Sequence, residues 1–200
     1  MNGCYFAWRT KNVLADISLK VNDAELVTVV GKTGSGKTSL LLSMCGKVEM
    51  TQGSGQMVGT IGYLEQSPWI MNDTMRANIL FGRNFDEQFY WKVIHACALT
   101  EDLKAWPESD LTIIGERRIN ISGGQRARLA LARTIYSRAD IYVLDDPLSA
   151  VDAHVKRHII NNVLLGKGIL AGKLRVVSTN SEHLLTYSNQ IISMDNGKAI

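Results

Sequence analysis

Residues Gly31-Lys32-Thr33-Gly34-Ser35-Gly36-Lys37-Thr38 constrain this chain more than any other stretch. They match G-x-x-x-x-G-K-[ST] at every fixed position. Before them, Leu26 to Val30 is an apolar and β-branched run of the kind that forms a strand buried on both faces of a parallel sheet. After them, Ser39-Leu40-Leu41-Leu42 opens a helix. Strand, glycine loop and helix in that order make an anion cradle, whereas the loop taken alone is only a flexible turn that ends in Lys-Thr. The glycines let the backbone curl until successive N–H groups point inward. The helix N-terminus adds its dipole to the same hollow. Lys37 reaches the β- and γ-phosphates of a nucleotide as a point charge, and the Thr38 hydroxyl can ligate Mg²⁺. Gly31, Thr33, Gly34, Ser35, Gly36, Lys37, Thr38 and Ser39 are therefore the candidate phosphate contacts. ATP and Mg²⁺ are the expected cofactors.

Two hundred residues can bury a sizeable core, and 46% hydrophobic with 20% charged residues is the composition of an ordinary globular chain. A net charge of +3 gives no field on the scale of nucleic-acid binding. Cys4, Cys45 and Cys97 are odd in number and widely spaced, which suggests neither a disulfide framework nor a metal site and fits a reducing compartment. The start, MNGCYFAWRTK, has no apolar core of a signal peptide, and no apolar run reaches the roughly 18 residues that span a bilayer. A membrane role would place the spanning part on another chain or on sequence beyond this one.

Along the chain, Phe6–Trp8 and Val13–Val21 alternate as antiparallel strands, the second ending at an Asn22-Asp23 turn. Gly53 to Gly62 predicts a turn before a short strand that ends near Leu64. Asp86 to Leu103 reads as one helix with Phe89, Val93, Ala96 and Cys97 on a face, broken by Trp106-Pro107. From Gln125, the residues Ala127, Ala130, Leu131, Thr134 and Ile135 make one apolar helical stripe. Ile141–Leu144, Leu174–Ser178 and Gln190–Met194 read as strands, Val155–Leu165 as a helix, and Asp195-Asn196-Gly197 as a hairpin turn. Strands alternating with helices predict an α/β fold with an antiparallel patch at the start.

Asp145 ends the strand Ile141–Leu144, and ligands of open α/β sheets gather at the carboxyl ends of strands. Mg²⁺ needs only one well-placed carboxylate, so Asp145 is the expected metal ligand, although a lone aspartate there also serves as a turn or cap. Asp146 follows it and can orient or deprotonate an attacking water. A second glycine motif, Ser122-Gly123-Gly124-Gln125, precedes the amphipathic helix, and Gln125 lies 20 residues before Asp145. A hydroxyl, two unobstructed amides and a helix N-terminus make another anion site, or simply a glycine-loosened cap. One nucleotide hardly needs two triphosphate cradles from one domain. The second makes sense facing ATP held by a partner.

Over almost its whole length the chain resembles the ATP-binding cassette of ABC transporters. The stretches that carry the likeness are GKTGSGKT, YLEQSPWIMNDTMRANILFG, ISGGQRARLALART and IYVLDDPLSAVD, with the closing strand and hairpin. The second and fourth are similar to the first cassette of the C subfamily, the multidrug-resistance-protein type, fungal vacuolar conjugate exporters included. The resemblance implies a P-loop NTPase of the ABC-ATPase fold over residues 1–200: a mostly parallel core sheet, an N-terminal antiparallel patch and an inserted helical subdomain. The core lobe would be about 1–66 and 119–200, and the helical subdomain about 67–118.

It also implies roles. Trp8 matches the aromatic that stacks on adenine, with Tyr5 as a poorer substitute. Gln66 matches the glutamine that contacts Mg²⁺ and the attacking water and reports to the membrane domains. Ser122, Gly123, Gly124 and Gln125 match the signature motif that covers the partner's ATP. Ser149-Ala150-Val151-Asp152 matches the loop that crosses the dimer interface. The partners implied are a second nucleotide-binding domain, head to tail, and transmembrane domains, with no nucleic acid. The place implied is the cytosolic face of a vacuolar or plasma membrane.

Three positions depart from the family pattern. Asp146 stands where active cassettes carry glutamate, one methylene longer, and Asn180 where they carry a histidine. Both weaken catalysis, so the site on this chain is expected to turn over slowly. His183 is read as an exposed helix residue rather than a displaced histidine. Arg118 stands where glycine is common, and its bland reading is a solvated charge. Meanwhile the signature keeps Ser-Gly-Gly-Gln after Ile121, as needed to complete a partner's site.

Other clusters are weaker. His154 and His158 share a helix face without a third ligand, Trp69, Trp91 and Trp106 read as packing, and Arg126, Arg128, Arg133 and Arg138 make a basic helix side. Three functions compete: an energy-coupling ATPase domain of an exporter, a regulatory ATP-binding module, and a soluble cassette ATPase acting on nucleic acid or ribosomes. Conjugated organic anions are the cargo expected of the family only.

Overall fold

A computed structural model describes residues 1–115 and 121–200. In chain order the strands and helices are β1 (Asn2–Trp8), β2 (Lys11–Ile17), β3 (Leu26–Val30), α1 (Lys37–Met44), β4 (Glu49–Ser54), β5 (Ile61–Leu64), β6 (Asp73–Thr74), α2 (Met75–Leu80), α3 (Glu87–Ala96), α4 (Thr100–Ala105), β7 (Ile113–Ile114), α5 (Gly123–Tyr136), β8 (Ile141–Asp145), α6 (Ala153–Ile159), β9 (Leu174–Ser178), α7 (Glu182–Leu185), β10 (Gln190–Asp195) and β11 (Lys198–Ala199). Packing divides them into two units.

The first unit comprises Met1–Tyr63, Asp140–Asp146 and Gly172–Ile200. Its main sheet runs in the order β11-β10-β3-β9-β8-β5. β10, β3, β9 and β8 are mutually parallel. Every residue of β8 and β9 is buried, as are the first four of β3, so a continuous β-branched run suits each of these strands. Leu40 and Leu41 of α1 are fully buried in the same core as Val27, Val29, Val143 and Val176. The antiparallel patch is a three-stranded sheet, β2-β1-β4, with Phe6 facing Leu14 and Trp8 facing Lys11.

The Asn196-Gly197 turn between β10 and β11 has φ of 47° and 78°, the two positive values of a type I′ turn. Gly197 N–H donates to the Ser35 carbonyl at 2.9 Å, and the Gly197 carbonyl accepts from Ala15 N–H at 2.9 Å. The turn thus ties the phosphate loop to β2.

The second unit comprises Leu64–Ala139 and Pro147–Ala171. It takes in residues 67–115 of the stretch expected to form the helical subdomain, together with residues 121–139 and 147–171 of the stretch expected in the core lobe. α5 is its central element, with Leu129, Ala130, Leu131, Ala132, Ile135 and Tyr136 buried. α2 and α3 pack on it. Asn78, fully buried on α2, accepts from Met71 N–H and donates to the Met71 and Thr74 carbonyls, so one side chain holds the whole turn that leads into its own helix. Arg133 of α5 donates to the Asn78 carbonyl and to Asn78 Oδ1, both at 2.8 Å. It also lies 4.1 Å from the Trp69 ring centre, a cation–π stack.

The parallel α/β core, the antiparallel start and the closing hairpin agree with the expectation from sequence. The helix expected over 86–103 does not: α3 ends at Ala96 and α4 begins at Thr100. Ala98 between them has φ of 55°, and Leu99 N–H donates to the Ile94 carbonyl, the six-to-one bond of a helix stop. Glycine is the usual residue there. Alanine carries no such signal. β2 also ends at Ile17, short of the expected Val21, and β4 and α2 have no counterpart in the sequence reading. Every residue of β4 is exposed, so no alternation marks it.

A Cβ added at Gly197 would lie 2.4 Å from the Val13 carbonyl oxygen at a left-handed φ. Gly197→Ala is expected to lower stability by about 1–3 kcal/mol, read from chemical denaturation of the chain.

Candidate nucleotide site

The phosphate loop is built from glycine geometry. Gly31, Gly34 and Gly36 have φ of 149°, 80° and 107°. A Cβ at Gly31 would lie 2.4 Å from the Met194 carbonyl oxygen and 2.6 Å from Ser35 Oγ, so only glycine fits there. Gly36 caps α1 with no side chain competing for the first-turn amides, which therefore remain suited to an anion. Lys37 Nζ donates to the Gly31 carbonyl at 2.7 Å and the Lys32 carbonyl at 3.0 Å, which seats the ammonium over the loop. Ser39, also expected to contact phosphate, is half-buried in the first turn of α1.

Below the loop, Asp145 is buried at 3% exposure. Its Oδ2 accepts from Thr38 Oγ1 at 2.7 Å and its Oδ1 from Ser178 Oγ at 2.5 Å. Strand pairing sets this up, because Asp145 and Ser178 are partners at the carboxyl ends of β8 and β9. Ser178 Oγ in turn accepts from Asp146 N–H at 2.9 Å, and the Ser178 carbonyl accepts from the same N–H at 3.2 Å. Asp146 stands at φ of 50°, a left-handed turn directly after a buried strand. Asn180 is exposed two residues beyond β9, after Thr179, whose N–H donates to the Val29 carbonyl at 3.1 Å. Loop, Thr38, Asp145, Asp146 and Ser178 thus meet at the carboxyl ends of three neighbouring strands. Sequence reasoning passed over Ser178. Its only signal was a polar residue closing an otherwise apolar strand.

These residues fit a magnesium–triphosphate group on their own chemistry. Ser35 Oγ is buried in the loop wall with no hydrogen-bond partner among the described residues. Gly31 has no room for a side chain. Thr38 and Asp145 bring a hydroxyl and a carboxylate together, the hard oxygen donors that Mg²⁺ takes. Trp8, at the β1–β2 turn, is 42% exposed, whereas Tyr5 is half-buried.

In the second unit, Ser122 caps α5 in a full capping box: Gln125 N–H donates to Ser122 Oγ at 3.2 Å, and Ser122 N–H donates to Gln125 Oε1 at 2.8 Å. The Gln125 side chain is thereby turned inward, where its Nε2 donates to Asp102 at 2.8 Å. Gly123 faces open space, and a Cβ at Gly124 would lie 2.9 Å from the Ala150 carbonyl oxygen. The Ala150 backbone thus passes close to the glycine turn. Asp152 then caps α6, accepting from His154 and Val155 N–H, and these bonds hold its carboxyl below the usual range. Gln66 is exposed in the loop after β5. Arg118 lies outside the described residues.

The weaker clusters resolve into packing. His158 Nε2 bonds the His95 carbonyl at 2.7 Å, and no metal-ligating group of three occurs among the described residues. Arg128 pairs with Asp102, Arg133 is stacked on Trp69, and Arg138 pairs with Asp86, so three of the four α5-side arginines are engaged. Burial lowers the Arg133 pKa. Trp91 meets Tyr90 edge to face at 5.2 Å.

A family model described as ABC transporter matches residues 14–149. The metal resistance protein YCF1 of Saccharomyces cerevisiae is 46% identical over 197 residues, covering 96% of this chain and 13% of that protein. Human ATP-binding cassette sub-family C member 2 is 46% identical over 197 residues, covering 98% and 13%. Multidrug resistance protein mrp-7 of Caenorhabditis elegans is 47% identical over 191 residues, covering 94% and 12%. The chain belongs to the ABC transporter family and is an ATP-binding domain of it. It spans only about 13% of the length of the relatives it matches. No helix among the described residues is long and apolar enough to cross a membrane.

Ser178→Ala removes the donor to Asp145 and the acceptor of Asp146 N–H together. A loss of about 1–3 kcal/mol is expected in denaturation of the chain, because a buried carboxylate oxygen then lacks its donor.

Proposed function

We propose that this domain couples ATP binding to export through a membrane protein, holding one ATP at a slow site and completing a faster site on a partner domain. The observation that carries this reading is the Thr38–Asp145–Ser178 arrangement under the phosphate loop, with Asp146 directly after it. Bound Mg²⁺ would supply charge neutralisation between the phosphates, and Thr38, Asp145 and Gln66 are the residues that would hold it. Lys37 and the amides of residues 31–38 bind the triphosphate, Ser39 supports it, and Trp8 stacks on adenine. Asp146 and Asn180 take the places of the general base and of the γ-phosphate-sensing group. An aspartate there is one methylene short of a glutamate, which displaces its carboxylate by about an ångström, and proton transfer is sensitive to such a shift. Asn180 can hydrogen-bond a phosphate but carries no charge.

Ser122, Gly123, Gly124 and Gln125 cover the ATP of a second nucleotide-binding domain arranged head to tail. The helical subdomain that begins at about residue 67, described as far as residue 115, meets the transmembrane domains. Such a domain works at the cytosolic face of a vacuolar or plasma membrane. The proposed cargo is organic anions or conjugates, on the strength of the subfamily alone. A second reading, a regulatory module that binds ATP and scarcely hydrolyses it, is favoured by Asp146 and Asn180 and is compatible with the first.

Lys37→Ala is expected to weaken ATP binding to the chain by roughly a hundredfold, measured by calorimetry with Mg²⁺ present. Unchanged affinity would remove the basis of the reading. In the full transporter, Asp146→Glu with Asn180→His is expected to raise ATP turnover by roughly tenfold or more. If turnover stays at the parent value, geometry at these two positions is not what slows the site.

A further inference from the structure

A continuous polar chain in the second unit ends at the Ser122 glycine turn. It starts at Ala98, whose left-handed backbone turns its carbonyl toward α5, where it accepts from the Arg128 guanidinium. Arg128 Nη1 also donates to Asp102 Oδ2 at 2.6 Å, and Nε donates to the Gly124 carbonyl at 3.3 Å. Asp102 Oδ1 accepts from Gln125 Nε2 at 2.8 Å, and Gln125 Oε1 accepts from Ser122 N–H at 2.8 Å. The Arg128 and Asp102 side chains are only 13% and 12% exposed.

A capping box needs only its serine and its glutamine. Here the glutamine is also gripped from behind. Because its NH₂ must face a carboxylate, its oxygen must face the Ser122 amide, and the amide group has a single orientation. The price of that grip is a carboxylate beside the N-terminus of α5. A lone carboxylate there is attracted by the dipole but repels a phosphate brought to the same amides. Arg128 lies one turn into α5 and cancels that charge, while its Nε holds the carbonyl of a signature glycine.

We propose that Asp102 and Arg128 are positioning residues for the signature turn: Asp102 orients Gln125, and Arg128 screens Asp102 from the triphosphate that the turn receives. This rests on the reading that Ser122–Gln125 cover the partner domain's ATP. The alternative is an ordinary buried ion pair that braces α4 against α5. The two differ in what a second substitution does. A brace is lost equally when either partner goes, and removing both restores nothing. A screen becomes unnecessary once the charge it screens is gone.

The test uses the full transporter that carries this domain, comparing Arg128→Met, Asp102→Asn and the double variant for the KM for ATP and for thermal midpoint. Arg128→Met leaves an unbalanced carboxylate and is expected to raise the KM by roughly tenfold, an increase that shrinks as salt rises. Asp102→Asn keeps an oxygen for Gln125 and is expected to change the KM by less than about threefold. The double variant is expected to return to within about threefold of the parent, even with a lowered thermal midpoint. A double variant with a KM as high as that of Arg128→Met overturns the proposal. If Arg128→Met fails to assemble, Arg128→Lys keeps the charge without the fork, and a tenfold rise there overturns the proposal equally. Gly123→Asp separates the two levels. Full ATPase activity in that variant refutes the role of the signature turn itself, whereas lost activity beside an unaffected Arg128→Met refutes only the screening.

Discussion

Asp145 is a buried carboxylate with both oxygens engaged, and the candidate site is organised around that fact. Such a group is costly to bury unless its lone pairs are satisfied. Thr38 satisfies one oxygen and Ser178 the other. The first bond locks the start of α1 to the end of β8, and the second locks β8 to β9. Ser178 then takes the N–H of Asp146, which fixes the turn where the chain leaves the sheet. Three elements far apart in sequence are therefore held in register by one side chain.

Around this centre the loop is shaped by what it excludes. Gly31 lies against the Met194 carbonyl with no room for a methyl group, and Gly197 lies as close to Val13. The closing hairpin therefore supports the loop from behind, through the bond from Gly197 to Ser35. A nucleotide-binding loop needs its amides held in place before the ligand arrives, since the cost of ordering them would otherwise be drawn from binding. The hairpin and β2 provide that order from residues that would not themselves touch phosphate.

The second unit uses the same principle with side chains. Asn78 is a buried polar group in a helical packing, Arg133 and Asp102 are half-buried, and each makes several hydrogen bonds there. Each fixes a turn: residues 71–74 by Asn78, the Trp69 segment by Arg133, the glycine turn at Ser122 by Asp102. Three of the four arginines that read as a basic helix side, Arg128, Arg133 and Arg138, are held by partners within this unit.

The phosphate loop, the strand that ends in Asp145, the amphipathic α5 and the Asn-Gly hairpin were all legible in the residues. Each is dictated locally, by glycine spacing, by a β-branched run or by helical periodicity. The resemblance to ATP-binding cassettes rests on those same local motifs. Tertiary structure alone decided the rest. Ser178 became a ligand of Asp145 only through strand pairing, and Asp102 met Gln125 only through helix packing. The helix read over 86–103 broke at Ala98, a residue whose left-handed turn is met by a hydrogen bond from Arg128 on another helix. Local patterns encode what a segment prefers. Which distant group will satisfy a buried polar atom depends on how the segments pack, and no spacing along the chain records it.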